Sequence, residues 1–138
     1  MPAVIFTHIR SLELYLRRSG AQIERASLPR SVQGRTLCDR IVLRPGLDPE
    51  EELLTLVHEL THWLAHRETS DSGAHRTVFE YEAEAVEALV MDHLGMQRPG
   101  CATAVNESPT DDLLLASVRR VKSTSRRICD ALELGRTG

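Results

Sequence analysis

The chain is poor in cysteine, in aromatic residues, in lysine and in long apolar runs, and each shortage narrows what it can be. Its three cysteines, Cys38, Cys101 and Cys129, are odd in number and far apart. They exclude a disulfide framework, lack the paired spacing of a cysteine metal site, and read as reduced thiols of a cytoplasmic protein. No apolar stretch reaches the roughly 18 residues that a membrane-spanning helix needs, so no membrane partner is expected. The opening Met1-Pro2-Ala3-Val4-Ile5-Phe6 has neither the basic flank nor the long apolar centre of a signal peptide. The only aromatics are Phe6, Tyr15, Trp63, Phe79 and Tyr81, which offers little for stacking on single-stranded nucleic acid. Lys122 is the sole lysine, and a net charge of -3 exerts no general pull on nucleic acid. There are no repeats and no low-complexity segment. What remains, 41% hydrophobic and 27% charged residues, is the composition of a soluble globular protein, with 1–138 expected as a single domain.

Within that ordinary background one stretch carries chemistry. Residues His58-Glu59-Leu60-Thr61-His62 spell His-Glu-x-x-His inside an apolar helical run. Side chains four apart on a helix lie one above the other, so His58 and His62 can aim at one point while Glu59 sits beside His58. Two neutral imidazoles so placed suit zinc, and the adjacent carboxylate can take a proton from metal-activated water. The helix is well announced. Asp48 is an N-cap residue, Pro49 suits the first helical position, and Glu51 completes a capping box. Leu53, Leu56, Val57, Leu60 and Leu64 then recur at helical spacing as a core-facing stripe.

Upstream, His8 to Arg18 reads as a first helix with Ile9, Leu12, Tyr15 and Leu16 inward and Gly20 after its end. Three strand-like pieces follow, over 21–25, 34–38 and 40–44, punctuated by Pro29 and by Pro45-Gly46. They predict a small, mostly antiparallel sheet. Downstream, Arg67 to His75 reads as a polar loop at a cleft rim. Arg76 to Leu94 reads as a second long helix with Phe79, Ala83, Val86, Leu89, Val90 and His93 on one face. Glu82 falls inside that stripe, whereas Glu80, Glu84 and Glu87 fall opposite. A carboxylate among apolar side chains needs a partner, either an arginine or a metal, because burying it alone is costly. With His58 and His62 upstream, Glu82 is the expected third ligand and Glu84 the alternative. A connector over 98–107 leads to a last helix from the cap at Ser108-Pro109-Thr110-Asp111 to about Leu134. Its expected inner stripe is Leu114, Val118, Val121, Ile128 and Leu132. Arg119, Arg120, Lys122, Arg126 and Arg127 cluster near its middle.

The motif followed by Glu82 matches the ligand spacing of thermolysin-like gluzincins. More closely, His58-Glu59-Leu60-Thr61-His62-Trp63-Leu64-Ala65-His66, then Glu80-Tyr81-Glu82-Ala83-Glu84-Ala85-Val86, resembles the ImmA/IrrE and ArdC-like metallopeptidases. That resemblance implies an α+β minimal zincin. In such a fold a short sheet packs on the His-Glu-x-x-His helix, beside a glutamate-bearing helix and a C-terminal helix. It implies a zinc peptidase acting inside the cell on a protein or peptide, such as a regulator. The ArdC branch adds a second reading, a zinc fold that binds single-stranded DNA and blocks restriction. Glu87 stands where family members often carry a small residue, which leaves the register between Glu82 and Glu84 open. On this reading His58, His62 and Glu82 hold zinc and Glu59 is the general base. A further donor for the oxyanion is sought among His75, Arg76 and Tyr81, and His66 is a rim or supporting residue.

Overall fold

The computed structural model describes residues 2–66, 76–96 and 111–137. The elements are helix α1 (Pro2–Arg18), strands β1 (Gln22–Arg25), β2 (Gly34–Thr36) and β3 (Arg40–Leu43), and helices α2 (Pro49–Thr61), α3 (Arg76–His93) and α4 (Asp111–Thr137). The loop expected over Arg67 to His75 and the connector over 98–107 lie outside the described residues. So does the Ser108-Pro109-Thr110 part of the cap. The architecture is α+β, with the two histidines on a central helix. Among the described residues, no helix is long and apolar enough to cross a membrane.

Packing makes α2 the pivot. It touches α1 and α3 on two sides and β2 and β3 on another, while α4 closes a ring by contacting α1 and α3. Leu53, Leu56, Val57 and Leu60 of α2 are fully buried, and they join Leu12, Leu16, Ile41, Leu43, Val86, Val90, Ile128 and Leu132 in one continuous core. Burial of each such side chain contributes roughly 1.5–3 kcal/mol. That outweighs the about 1 kcal/mol a cap supplies, so the helix tolerates a departure at its start. Asp48 does have an extended backbone and Pro49 takes the first helical position, but the Asp48 side chain makes no capping bond. The expected capping box does not form, because Glu51 accepts from Gln33 Nε2 at 3.3 Å instead. Its neighbour Glu52 accepts from Arg25 Nε at 3.1 Å. The acidic first turn therefore ties α2 to the strand region as well as complementing the helix dipole.

The sheet has the order β1-β3-β2. β2 and β3 pair antiparallel as a hairpin, Gly34 with Leu43 and Thr36 with Ile41. β1 runs parallel to β3, pairing Gln22 with Arg40 and Arg25 with Leu43. The sheet is thus mixed, one pairing of each kind, rather than mostly antiparallel. The 26–33 segment produces this by carrying the chain across the end of β3. Arg44, the residue after that strand, staples the crossing: its guanidinium donates to the carbonyls of Leu28, Pro29 and Val32 at 3.1, 2.6 and 2.9 Å. Ser31, at φ 72°, makes the turn within the segment.

Three helices differ from expectation, the first for a reason that packing supplies. The first starts at Pro2 instead of His8, because Ile5 continues the buried Ile9, Leu12 and Leu16 stripe by one more turn. On α4, Ile128 and Leu132 are buried as expected, whereas Val118 is exposed. On α3, Leu89 and His93 also lie outside the core, and Met91 takes a place in it.

Candidate metal centre

The helical spacing of His58 and His62 does bring their rings together. The ring centroids are 4.9 Å apart with planes at 75°, and the two Nε2 atoms lie 3.3 Å from each other. Immediately after Thr61 the helix widens into a π turn over His62–His66. Such turns disrupt regular helix packing and are frequent at functional sites. Trp63 in this turn is buried, with Nε1 3.4 Å from the Cys38 carbonyl, so it fastens the end of the helix to the β2–β3 hairpin.

The third group at this point is Glu80, from the first turns of α3. Its Oε1 lies 2.9 Å from His62 Nε2 and its Oε2 3.2 Å from His58 Nε2. His58, His62 and Glu80 form a cluster whose ligand atoms all fall within 4.8 Å of one another. Two donors each about 2.0–2.1 Å from a tetrahedral zinc stand about 3.3–3.4 Å apart, close to the separations found here. Two imidazoles and one carboxylate are also the donor types that zinc takes in catalytic sites, so the residues fit the ion.

Glu82, the ligand expected from the sequence, is not brought to the imidazoles. It is 2% exposed and faces α4. Arg120 Nε and Nη2 donate to its two oxygens at 2.8 and 2.9 Å, and Ser117 Oγ donates at 2.6 Å. The requirement that the stripe carboxylate find a partner is met, but by the arginine. The physical reason is that α3 is covered on two sides, by α2 and by α4. The face bearing Glu80 and Glu87, read from the sequence as outward, is the one turned to α2. Glu84 is half-buried and does not belong to the cluster.

Glu87, which the sequence does not single out, also reaches this ring: its side chain is 8% exposed, and Oε1 lies 3.2 Å from His58 Nδ1. Glu80 and Glu87 are seven positions apart on α3, two helical turns, so one face of one helix addresses both nitrogens of the His58 ring. That repeat was visible in the sequence as the carboxylate stripe of Glu80, Glu84 and Glu87. Its direction was not.

Glu59 is nearly buried, and Thr36 Oγ1 donates both to its Oε1 at 2.8 Å and to its backbone carbonyl at 2.9 Å. β2 lies so close to α2 here that a Cβ on Gly34 would stand 2.7 Å from Thr55 Cγ2 and 2.9 Å from Glu59 Cγ. A glycine is needed for space at this position. Gly34→Ala is expected to cost about 1–3 kcal/mol by overpacking. It should also disturb the Thr36–Glu59 contact, and urea unfolding measures the loss; unchanged stability would show that the strand has room to move away.

The electrostatics follow from these contacts. Burial opposes a charge on His58, but hydrogen bonds to Glu80 and Glu87, with the charges of Glu87 and Glu59, raise its pKa from 6.5 to about 10. The Glu80 carboxyl is held well below the usual carboxylate range by its hydrogen bonds to His58 and His62, although burial works the other way. Of the remaining candidates, Tyr81 is half-buried beside Glu80 on α3. The backbones of His66 and Arg76 close the π turn and open α3, but their side chains lie outside the described residues, as does all of His75.

A family model for the IrrE N-terminal-like domain, a peptidase family, matches residues 17–125, most of the chain. The chain belongs to this family. No curated protein and no solved structure matches it. The match bears out the ImmA/IrrE resemblance and supports a metallopeptidase-type function for this IrrE-like domain. It spans both helices that supply the His58, His62 and Glu80 cluster.

Proposed function

We propose that this chain is a zinc-dependent peptidase that hydrolyses a peptide bond in a specific protein partner such as a regulator. The observation that carries the proposal is the convergence of His58 Nε2, His62 Nε2 and the Glu80 carboxylate in a peptidase-family domain, with Glu59 adjoining His58 in the same helix. His58, His62 and Glu80 would hold the metal. Zinc bound there supplies Lewis acidity and a water acidified toward a pKa of about 7.

The rest is the work of this chain's own groups. Glu59 accepts a proton at its carboxylate and returns it to the departing amine. Thr36 fixes one Glu59 oxygen by its 2.8 Å hydrogen bond, so the other is the one left to exchange the proton. β2 lies at the end of the sheet order, and among the described residues no strand covers its outer edge. An extended substrate segment adding to that edge would run past Thr36 and hence past Glu59. The alternative of single-stranded DNA binding rests on the α4 cations, of which Arg120 is engaged by Glu82 and Arg127 Nε donates to the Tyr15 hydroxyl at 3.2 Å, while Arg119, Lys122 and Arg126 are exposed.

The test uses the full chain loaded with one equivalent of zinc. It is incubated with a proteome-derived peptide library and with the intact products of neighbouring reading frames. New peptide termini should appear, vanish with a chelator and return with added zinc. Absence of new termini in protein shown to carry the metal would overturn the proposal.

A further inference from the structure

We infer that Glu87 is a positioning residue for the metal centre: it fixes the tautomer and orientation of His58 so that Nε2 is the atom presented to the ion. The inference rests on the zinc site proposed above and assigns a role to a side chain outside the ligand set. Glu87 Oε1 lies 3.2 Å from His58 Nδ1, on the opposite side of the ring from the Nε2 atom that meets His62 and Glu80. A carboxylate can only accept in that contact, so Nδ1 carries hydrogen there; Nε2 faces the Glu80 carboxylate, and its hydrogen is the one that an ion shared with Glu80 would replace. The proton on Nδ1 leaves the Nε2 lone pair for the metal. A neutral imidazole offers its lone pair from one nitrogen at a time, and without such a partner the choice is left to solvent.

Burial argues in the same direction. Glu87 is 6% exposed and sits next to Val86, which is fully buried. A carboxylate in such a place is expensive unless it is well partnered, and a leucine or alanine would pack there without that cost. The contact also fixes the ring in space. His58 is gripped at Nδ1 by Glu87 and at Nε2 by Glu80, both from α3, so α3 sets the rotation of a side chain carried by α2. Outer partners of this kind make a histidine a more basic ligand and hold its geometry.

The experiment compares the intact protein with Glu87→Gln, Glu87→Leu and Glu87→Ala. Zinc affinity is read by competition with a chromophoric chelator, and the His58 ring by long-range proton–nitrogen NMR of the zinc-loaded protein. In the unaltered protein, His58 should show hydrogen on Nδ1 and zinc on Nε2. Glu87→Ala should weaken zinc binding by about 10–100-fold. Glu87→Gln, which keeps an acceptor of the same shape, should recover much of that loss. A side chain that merely packs would leave the zinc-bound nitrogen unchanged and would be replaced as well by Leu as by Gln. Equal zinc affinity in all four proteins, or zinc on Nδ1 in the unaltered protein, overturns the role of Glu87 while leaving the metal centre intact. Failure of the unaltered protein to take up zinc overturns both. The NMR assignment needs no variant, so the inference stays testable even if Glu87→Ala does not fold.

Discussion

Glu59→Gln is expected to leave zinc bound at one equivalent and to lower peptide hydrolysis by about 10²–10⁴-fold, the usual worth of a positioned general base. The two readouts separate because of where Glu59 stands. It adjoins His58 in α2, yet it is not one of the three groups that converge, so the ligand set survives the change. Gln has the same shape and an oxygen that accepts the Thr36 hydroxyl, so the 2.8 Å contact that orients the side chain survives as well. Only the capacity to take up a proton is removed. Metal analysis of the purified variant, followed by the peptide-library assay, checks both halves. A variant that carries zinc and cleaves at the normal rate would show that the proton goes elsewhere. A variant that loses zinc would show that Glu59 supports the ligands, and the assignment of the base would then lose its basis.

The features that could be read from the sequence are those settled within one helix. His58, Glu59 and His62 have their mutual placement from the helical repeat alone, and the Leu53, Leu56, Val57 and Leu60 stripe says which side of that helix is buried. What could not be read depends on which distant surface faces which side. α3 has two covered sides and therefore no single inner face. Its apolar stripe shows where the core is, but not whether α2 or α4 lies to the left of it. Glu82 needed a partner, and the chain contained two kinds, a pair of histidines and the Ser117–Arg120 pair one turn apart on α4. Periodicity cannot choose between them. The parallel pairing of β1 was hidden for a related reason. A short connection after a strand suggests a hairpin, and only Arg44, reaching back to the carbonyls of Leu28, Pro29 and Val32, shows that the connection crosses a strand end instead. By contrast, the early start of α1 was there to be read, since Ile5 stands four before Ile9 in the same stripe.

The two acidic residues on α3 should separate cleanly when each is tested. Glu80→Ala removes a ligand whose side chain is half exposed, so the fold should change little. Zinc affinity should fall by about two to four orders of magnitude, a third of the roughly 10–16 kcal/mol that structural zinc sites gain from the ion. Arg120→Ala acts on the other side of the helix. It takes the two-point guanidinium contact from the Glu82 carboxylate, 2% exposed, while the Ser117 hydroxyl bond stays. Breaking a buried pair by removing one partner costs about 3–5 kcal/mol. The Ser117 bond and the partial exposure of Arg120 place the expected loss at the lower end of that range. Zinc binding by the folded fraction should be nearly unaffected, because Glu82 makes no approach to the imidazoles. Urea unfolding and chelator competition on the two variants give four numbers. The assignment requires a large affinity loss with little destabilisation for Glu80→Ala, and the reverse for Arg120→Ala. If Glu80→Ala keeps its zinc and Arg120→Ala, which frees the Glu82 carboxylate, binds the ion more tightly, then α3 turns its other face to the histidines when the ion binds. Glu82 would be the ligand after all.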